Sequence, residues 1–102
     1  MPLYELTASA QEDLKAIALY TFITWGNPQA LKYATLLEKR FGEIATGNAY
    51  GRCFSKRFPQ ILVNRCEHHY IFYVHPHGKP VRIIAVLHEN MDLVNRLKDR
   101  LA

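Results

Sequence analysis

The chain has 102 residues, of which 49% are hydrophobic and 22% charged, with a formal net charge of +4. A protein of this length buries only roughly 60–70% of its unfolded surface, which leaves area for one core, and its apolar fraction is too high for a disordered chain. No apolar run reaches the roughly 18 residues of a membrane span, the opening Met-Pro-Leu-Tyr-Glu-Leu has neither the basic start nor the apolar stretch of a leader, and Cys53 and Cys66 form no C-x-x-C pair. The expectation is a single cytoplasmic domain over 1–102 with reduced thiols. The positive balance favours acidic partners, although the basic residues form no run and a solvated surface accounts for them equally well.

Residues 3–7 alternate loosely and read as a first strand. Ser9 followed by Glu12 has the form of a capping box that opens a helix. Ala10, Leu14, Ile17, Ala18, Thr21 and Trp25 share one face of that helix, whereas Leu19, Tyr20, Phe22 and Ile23 fall outside it. The second half therefore carries more apolar surface than one sheet contact would cover, and a partner is expected on those four residues.

Gly26 ends the first helix, and Asn27-Pro28 opens a second, with Asn27 as cap and Pro28 where a missing amide costs nothing. Ala30, Tyr33, Ala34, Leu37, Phe41, Ile44 and Ala45 form its apolar stripe, and Gly47-Asn48 stops it. From Arg52 the period becomes that of strands: Arg52 to Phe58 and Ile61 to Cys66, turning at Pro59-Gln60, then His68 to Val74 and Val81 to His88 as the central pair. Leu93, Val94, Leu97 and Leu101 repeat at helical spacing and close the chain. The expected fold is α+β: an N-terminal strand, an α-helical hairpin packed on a small, mainly antiparallel sheet, and a short C-terminal helix, in the order β-α-α-β-β-β-β-α.

Five histidines invite a metal reading. The neighbours His68 and His69 point to opposite faces of a strand and cannot chelate together, and His75 and His77 sit at a turn without a ligand motif, so no metal and no cofactor are expected. Glycine-rich phosphate loops and Ser/His/Asp signatures are missing, which disfavours a conventional hydrolase or nucleotide enzyme. The remaining chemistry lies in Lys56, Arg57, Arg65, His69, Arg82 and His88, which as a group would suit phosphate stabilisation and proton transfer on RNA. A solvated basic sheet edge explains them too.

The element order, with Asp13-Leu14, Ile17, Tyr20 and Trp25-Gly26, then Gly51-Arg52, His69-Tyr70-Ile71-Phe72-Tyr73, Val86-Leu87-His88 and Met91-Asp92, resembles the RelE/ParE toxin superfamily, most closely its ParE branch. The resemblance runs from about Tyr4 to Leu97, and Trp25, Gly51, Arg52, His69, Tyr70, His88, Met91 and Asp92 are its motif residues. It implies the toxin of a type II toxin–antitoxin operon that inhibits DNA gyrase, blocks replication and is neutralised in a hetero-oligomeric complex by a ParD-like antitoxin. It further implies no catalytic site of the chain's own, no membrane partner and no direct sequence-specific nucleic-acid binding. Leu19, Tyr20, Phe22 and Ile23 become the expected antitoxin-binding residues.

Two alternatives stay open. A RelE-like ribosome-dependent mRNA endonuclease would use His88 as acid or base, with Arg65, Lys56, Arg57 or Arg82 on phosphate. Against it, the chain has no tyrosine after Tyr73 and carries Ala85 where many relatives have arginine. The other alternative is a non-toxic antitoxin-binding module. His88 also has an architectural reading, as a partner for the turn Asn90 to Asp92, with Asp92 capping the last helix.

Overall fold

The computed structural model describes residues 3–101. Its elements are β1 (Tyr4–Leu6), α1 (Ala8–Trp25), α2 (Asn27–Ala45), β2 (Arg52–Ser55), β3 (Phe58–Cys66), β4 (His69–Val74), β5 (Val81–His88) and α3 (Leu93–Leu101). The strands form one sheet in the order β1-β5-β4-β3-β2. β1 runs parallel to β5 and the other neighbours are antiparallel. The predicted element order and α+β class are the observed ones.

The strand-to-helix junction differs from the capping box expected at Ser9 and Glu12. Thr7 is the N-cap: its hydroxyl accepts the Ala10 amide at 3.1 Å, and Ser9 lies inside the helix. Thr7 also donates its own amide to Ile83 O at 3.1 Å, prolonging the β1–β5 ladder. One residue thus serves both elements and leaves no spacer in which a later cap could form.

Gly26 joins the helices at φ +91°, a conformation that favours glycine. Its amide donates to Phe22 O at 2.9 Å and its carbonyl accepts the Ala30 amide at 3.1 Å, so Gly26, rather than Asn27, is the cap of α2. The α2 stripe buries Tyr33, Leu37, Phe41 and Ile44. In α1 the expected stripe is buried only in part. Ala10 and Thr21 are buried and Leu14 and Ile17 pack on the core, but Trp25 is 70% exposed. An 18-residue helix is about 27 Å long, and beyond Thr21 its last turn outruns the buried core.

Lys56 and Arg57 form the β2–β3 turn, and Pro59-Gln60, expected there, lie within β3. Recorded pairing of β3 with β4 begins at Leu62 opposite Tyr73, so Pro59 sits where no β4 carbonyl asks for its missing amide. Between β4 and β5 the register shifts: Phe72 faces Ala85 while Tyr73 faces Ile83, leaving Ile84 as the extra residue of a bulge.

The sheet has a core on each side. Tyr33, Leu37, Phe41 and Ile44 of α2 meet Cys66, Ile71, Tyr73, Val81, Ile83 and Val86 on one face. Ile61, Val63, Phe72, Ala85 and Leu87 meet Leu97 of α3 on the other, with Phe54 edge-on to Phe72 at 5.1 Å. Ala85 is fully buried there, opposite Phe72.

The β5 bulge is also where three elements are tied together. Asp13 of α1 accepts the Val86 amide at 3.0 Å and two bonds from the Arg100 guanidinium of α3, at 2.6 and 2.9 Å. Arg100 donates as well to Ile84 O at 3.0 Å. The fork holds the carboxylate from both oxygens and satisfies backbone groups that the bulge removes from the ladder.

Candidate functional site

The end of β4 and β5 gathers the imidazoles. His69 stands opposite His88 across the ladder, with ring centroids 5.2 Å apart, and Tyr33 of α2 reaches His69 Nδ1 at 2.5 Å. Burial pushes the His69 pKa from its ordinary 6.5 down to about 4, helped by His88 and His68, and burial raises that of Tyr33. Both shifts favour the neutral pair, so the phenol donates and Nδ1 accepts, leaving the imidazole proton on Nε2. His88 Nδ1 accepts the Asn90 amide at 3.1 Å, and Met91 N donates to His88 O at 3.0 Å. Asp92 accepts the Asn95 amide at 3.4 Å at the start of α3. This end of the sheet is a turn secured by a histidine and a capped helix start.

Arg65 lies on the other face. Its guanidinium sits 5.5 Å from the centroid of the Tyr70 ring, donates to Glu67 O at 3.1 Å and pairs with Glu89. Glu89 also takes His68 Nδ1 at 3.2 Å, and that contact, with Arg65, holds its carboxyl below the usual range. Arg65 faces Tyr70 and Leu87 in the ladder, whereas His88 faces His69 one position on. A one-residue step reverses the side of the sheet, so Arg65 and His88 project from opposite faces and are linked only round the sheet end, through Glu89 and His68, whose ring stacks on His88 at 6.5 Å. Arg82 pairs with Glu5 at 3.3 Å and stands opposite Val74, about 13 Å along β4 from the level of Tyr70. Lys56 and Arg57 are exposed at the distant β2–β3 turn. The five residues of the nuclease alternative do not converge on one point.

Two motif residues have packing reasons. Gly51 donates its amide to Tyr73 Oη at 2.8 Å, and a Cβ there would lie 2.3 Å from that oxygen. Tyr70 forms the floor beneath Arg65. With Tyr50, Arg52, Val63, Asn64 and Arg65 it lines an open cavity of about 180 Å³. Among the described residues, no three His, Cys, Asp or Glu side chains could together hold a metal ion. Cys53 and Cys66 are both free; burial raises the Cys66 pKa and makes it a poor nucleophile.

On the outer side of the helical hairpin, Leu19 is 60% exposed, Tyr20 66%, Phe22 52% and Ile23 72%. Trp25 and Leu31 continue the surface, and no charged residue occurs between Lys15 and Lys32. Six large apolar side chains facing water on the last two turns of α1 and near the start of α2 are exposed apolar surface of the kind that marks an interface.

Several functional side chains escaped the sequence reading. Arg100 lies off the apolar stripe of the last helix, and nothing local to it announces a partner 87 positions away. Tyr33 was placed in an apolar stripe, but a buried tyrosine needs a partner for its hydroxyl, and that signal was available. Tyr50, next to the motif residues Gly51 and Arg52, could have been found from charge order: Glu43 and Glu67 enclose a stretch with no acid at all.

The family model for the ParE toxin of the type II toxin-antitoxin system parDE matches residues 4–93. Over 101 residues, 99% of this chain and 98% of the relative, the sequence is 43% identical to Toxin ParE of Escherichia coli. The fold is similar, with a TM-score of 0.71, to a chain of the chromosomal ParDE TA system from P. aeruginosa; the identity is 20%, over 83% of this chain and 92% of that one. With its bulged five-stranded sheet, its helical hairpin and a family match over most of its length, the chain belongs to the ParE toxin family of type II toxin–antitoxin systems.

Proposed function

We propose that this chain is a growth-arresting toxin that acts on DNA gyrase and blocks replication, and that a ParD-like antitoxin neutralises it by covering the exposed end of α1. The observation that carries the choice of target is that Arg65 and His88 project from opposite faces of the sheet and are each engaged elsewhere. A ribonuclease of this fold needs phosphate-binding cations and a proton carrier around one phosphate. Here the carrier serves a turn and the cation serves Tyr70 and Glu89. The antitoxin part rests on the exposure of Leu19, Tyr20, Phe22 and Ile23, whose burial needs no rearrangement of the toxin's own core.

The test sets the two targets side by side. Purified toxin should inhibit supercoiling by gyrase and stabilise cleaved DNA, with no effect on message in a ribosome assay. Intact supercoiling together with cut message would replace the gyrase reading by the nuclease one. Harmless accumulation on induction without the antitoxin would support a binding module in place of a toxin.

A further inference from the structure

The net charge is not distributed over the molecule. Between Glu43 and Glu67 the chain has four cations, Arg52, Lys56, Arg57 and Arg65, and no acid, so this segment accounts for the whole net +4 and the other nine basic residues balance the nine acids. The fold makes the segment one antiparallel hairpin, β2 and β3, on the edge of the sheet. Arg52 stands opposite Val63, and Arg65 two residues further along β3 shares its face. From Arg65 to the turn at Lys56-Arg57 the cationic track is about 23 Å long. Arg52, Lys56 and Arg57 make no ion pair among the described residues.

The same edge carries aromatic surface. Tyr50 is 86% exposed beside Arg52, and Tyr70 lies under Arg65 in the floor of the 180 Å³ cavity. Exposed tyrosine next to unpaired arginine is poorly explained by core packing or by a solvated edge, since the ring gains nothing from water. An acidic peptide would use the cations and leave the rings idle. A single strand of nucleic acid uses both, with phosphates on the cations and a base on the ring.

We infer that the β2–β3 hairpin binds single-stranded nucleic acid without reading its sequence, with phosphates on Arg52, Lys56 and Arg57 and an unstacked base on Tyr50 in the groove that Arg65 and Tyr70 close. Arg65, already paired with Glu89, supplies a fixed wall more than a free charge. The inference concerns the free chain and stands whether or not gyrase is its target.

The experiment is fluorescence anisotropy of a labelled twelve-nucleotide oligothymidylate titrated with the purified chain. Three released counterions give a slope of log K against log salt of about −2, or about a 20-fold loss between 50 and 200 mM salt. The variant R52Q/K56Q/R57Q should lose that salt dependence together with the binding, while K15Q, on the helical side, should leave both unchanged. Tyr50→Ala should weaken binding about tenfold at an unaltered slope, and Tyr50→Phe should restore it. Circular dichroism of each variant shows that it is folded. Binding by the triple variant within twofold of wild type, indifference to Tyr50→Ala, or equal competition by polyglutamate at matched charge would each overturn the inference, the last in favour of an acidic protein partner.

Discussion

The outer end of the helical hairpin and the β2–β3 edge are both exposed, yet they are chemically opposite. The first has no charge between Lys15 and Lys32 and presents Leu19, Tyr20, Phe22, Ile23, Trp25 and Leu31. The second has no acid between Glu43 and Glu67 and presents Arg52, Lys56 and Arg57 around Tyr50. A partner on the apolar end would be held by removal of surface from water and be nearly indifferent to salt, whereas one on the cationic edge would be salt-sensitive. The difference follows from what covers each layer. Two long helices shield the first face of the sheet and overshoot it, so their surplus is apolar. The nine-residue α3 shields the second only in part, so the uncovered strands must stay polar.

What fixes both surfaces to one frame is the Asp13–Arg100 fork, and breaking it should have the largest effect. Arg100→Ala leaves Asp13 largely out of water with only the Val86 amide, and loses the tie from α3 to the bulge. The expected destabilisation is about 2–4 kcal/mol, somewhat under the cost of cutting a fully buried pair because the two side chains keep 20% and 14% exposure. Urea denaturation measures it. Arg100→Lys should recover only part, since an ammonium cannot engage both carboxylate oxygens and Ile84 O in one plane. A loss under 0.5 kcal/mol would mean that the layers are held independently.

Ile23→Lys sharpens the comparison by moving the chemistry of one surface toward that of the other. A lysine in the last turn of α1 suits the helix dipole, and Ile23 is 72% exposed, so stability should change by no more than about 0.5 kcal/mol. Antitoxin affinity should fall by about 2 kcal/mol or more, roughly thirtyfold, as for an anchor residue at the centre of an interface. Calorimetric titration with the antitoxin reads that loss, and unchanged affinity would remove α1 from the interface.

Gly51→Ala tests the root of the cationic edge. The added carbon would meet Tyr73 Oη at 2.3 Å, and that ring is fixed in the core, so the β2 entry must shift and the amide bond to the phenol must lengthen. A cost of about 1–3 kcal/mol is expected in thermal or urea unfolding. Tyr73→Phe in the same background should recover only part of the loss, because ring carbons Cε1 and Cζ would still lie 2.8 Å from the added carbon, and full recovery would mean that the hydroxyl alone requires the glycine.

The two regions were not equally legible from the sequence. The helical hairpin announces itself by period, and the four residues left off its inner face are the ones found in water. The strand order was legible but the β2–β3 turn was not: Lys56-Arg57 has none of the usual turn chemistry, and Pro59 misleads because an unpaired strand position tolerates proline as readily as a turn does. Trp25 was misplaced because periodicity assigns a face but does not say where the neighbour ends. The Asp13–Arg100 fork is a contact across nearly the whole chain, and no local pattern encodes it.

The smallest effect, and the one that best separates the two sides of the sheet, is in pH. His69 faces the helical layer, where its folded pKa is about 4 against an ordinary 6.5, with His88 and His68 opposing its charge and Glu89 and Asp13 favouring it. Above 6.5 the imidazole is neutral folded or unfolded and contributes no pH dependence. As pH falls from 6.5 to 4 the unfolded chain takes up a proton that the folded chain refuses, so stability drops through that window and levels below it. The drop should be about 1–2 kcal/mol, held below the full linkage value because the ring is only half-buried and solvent screens it. Urea unfolding at pH 7 and pH 5 measures the difference in wild type and in His69→Gln, where this part of the slope should vanish. Arg65 and Tyr70, one residue away on the other face, carry no part of that proton. Arg65→Gln frees Glu89, which favours the His69 charge, so it should reduce the slope between 6.5 and 4 only slightly, and a loss as large as in His69→Gln would mean that Arg65, not burial, sets this proton.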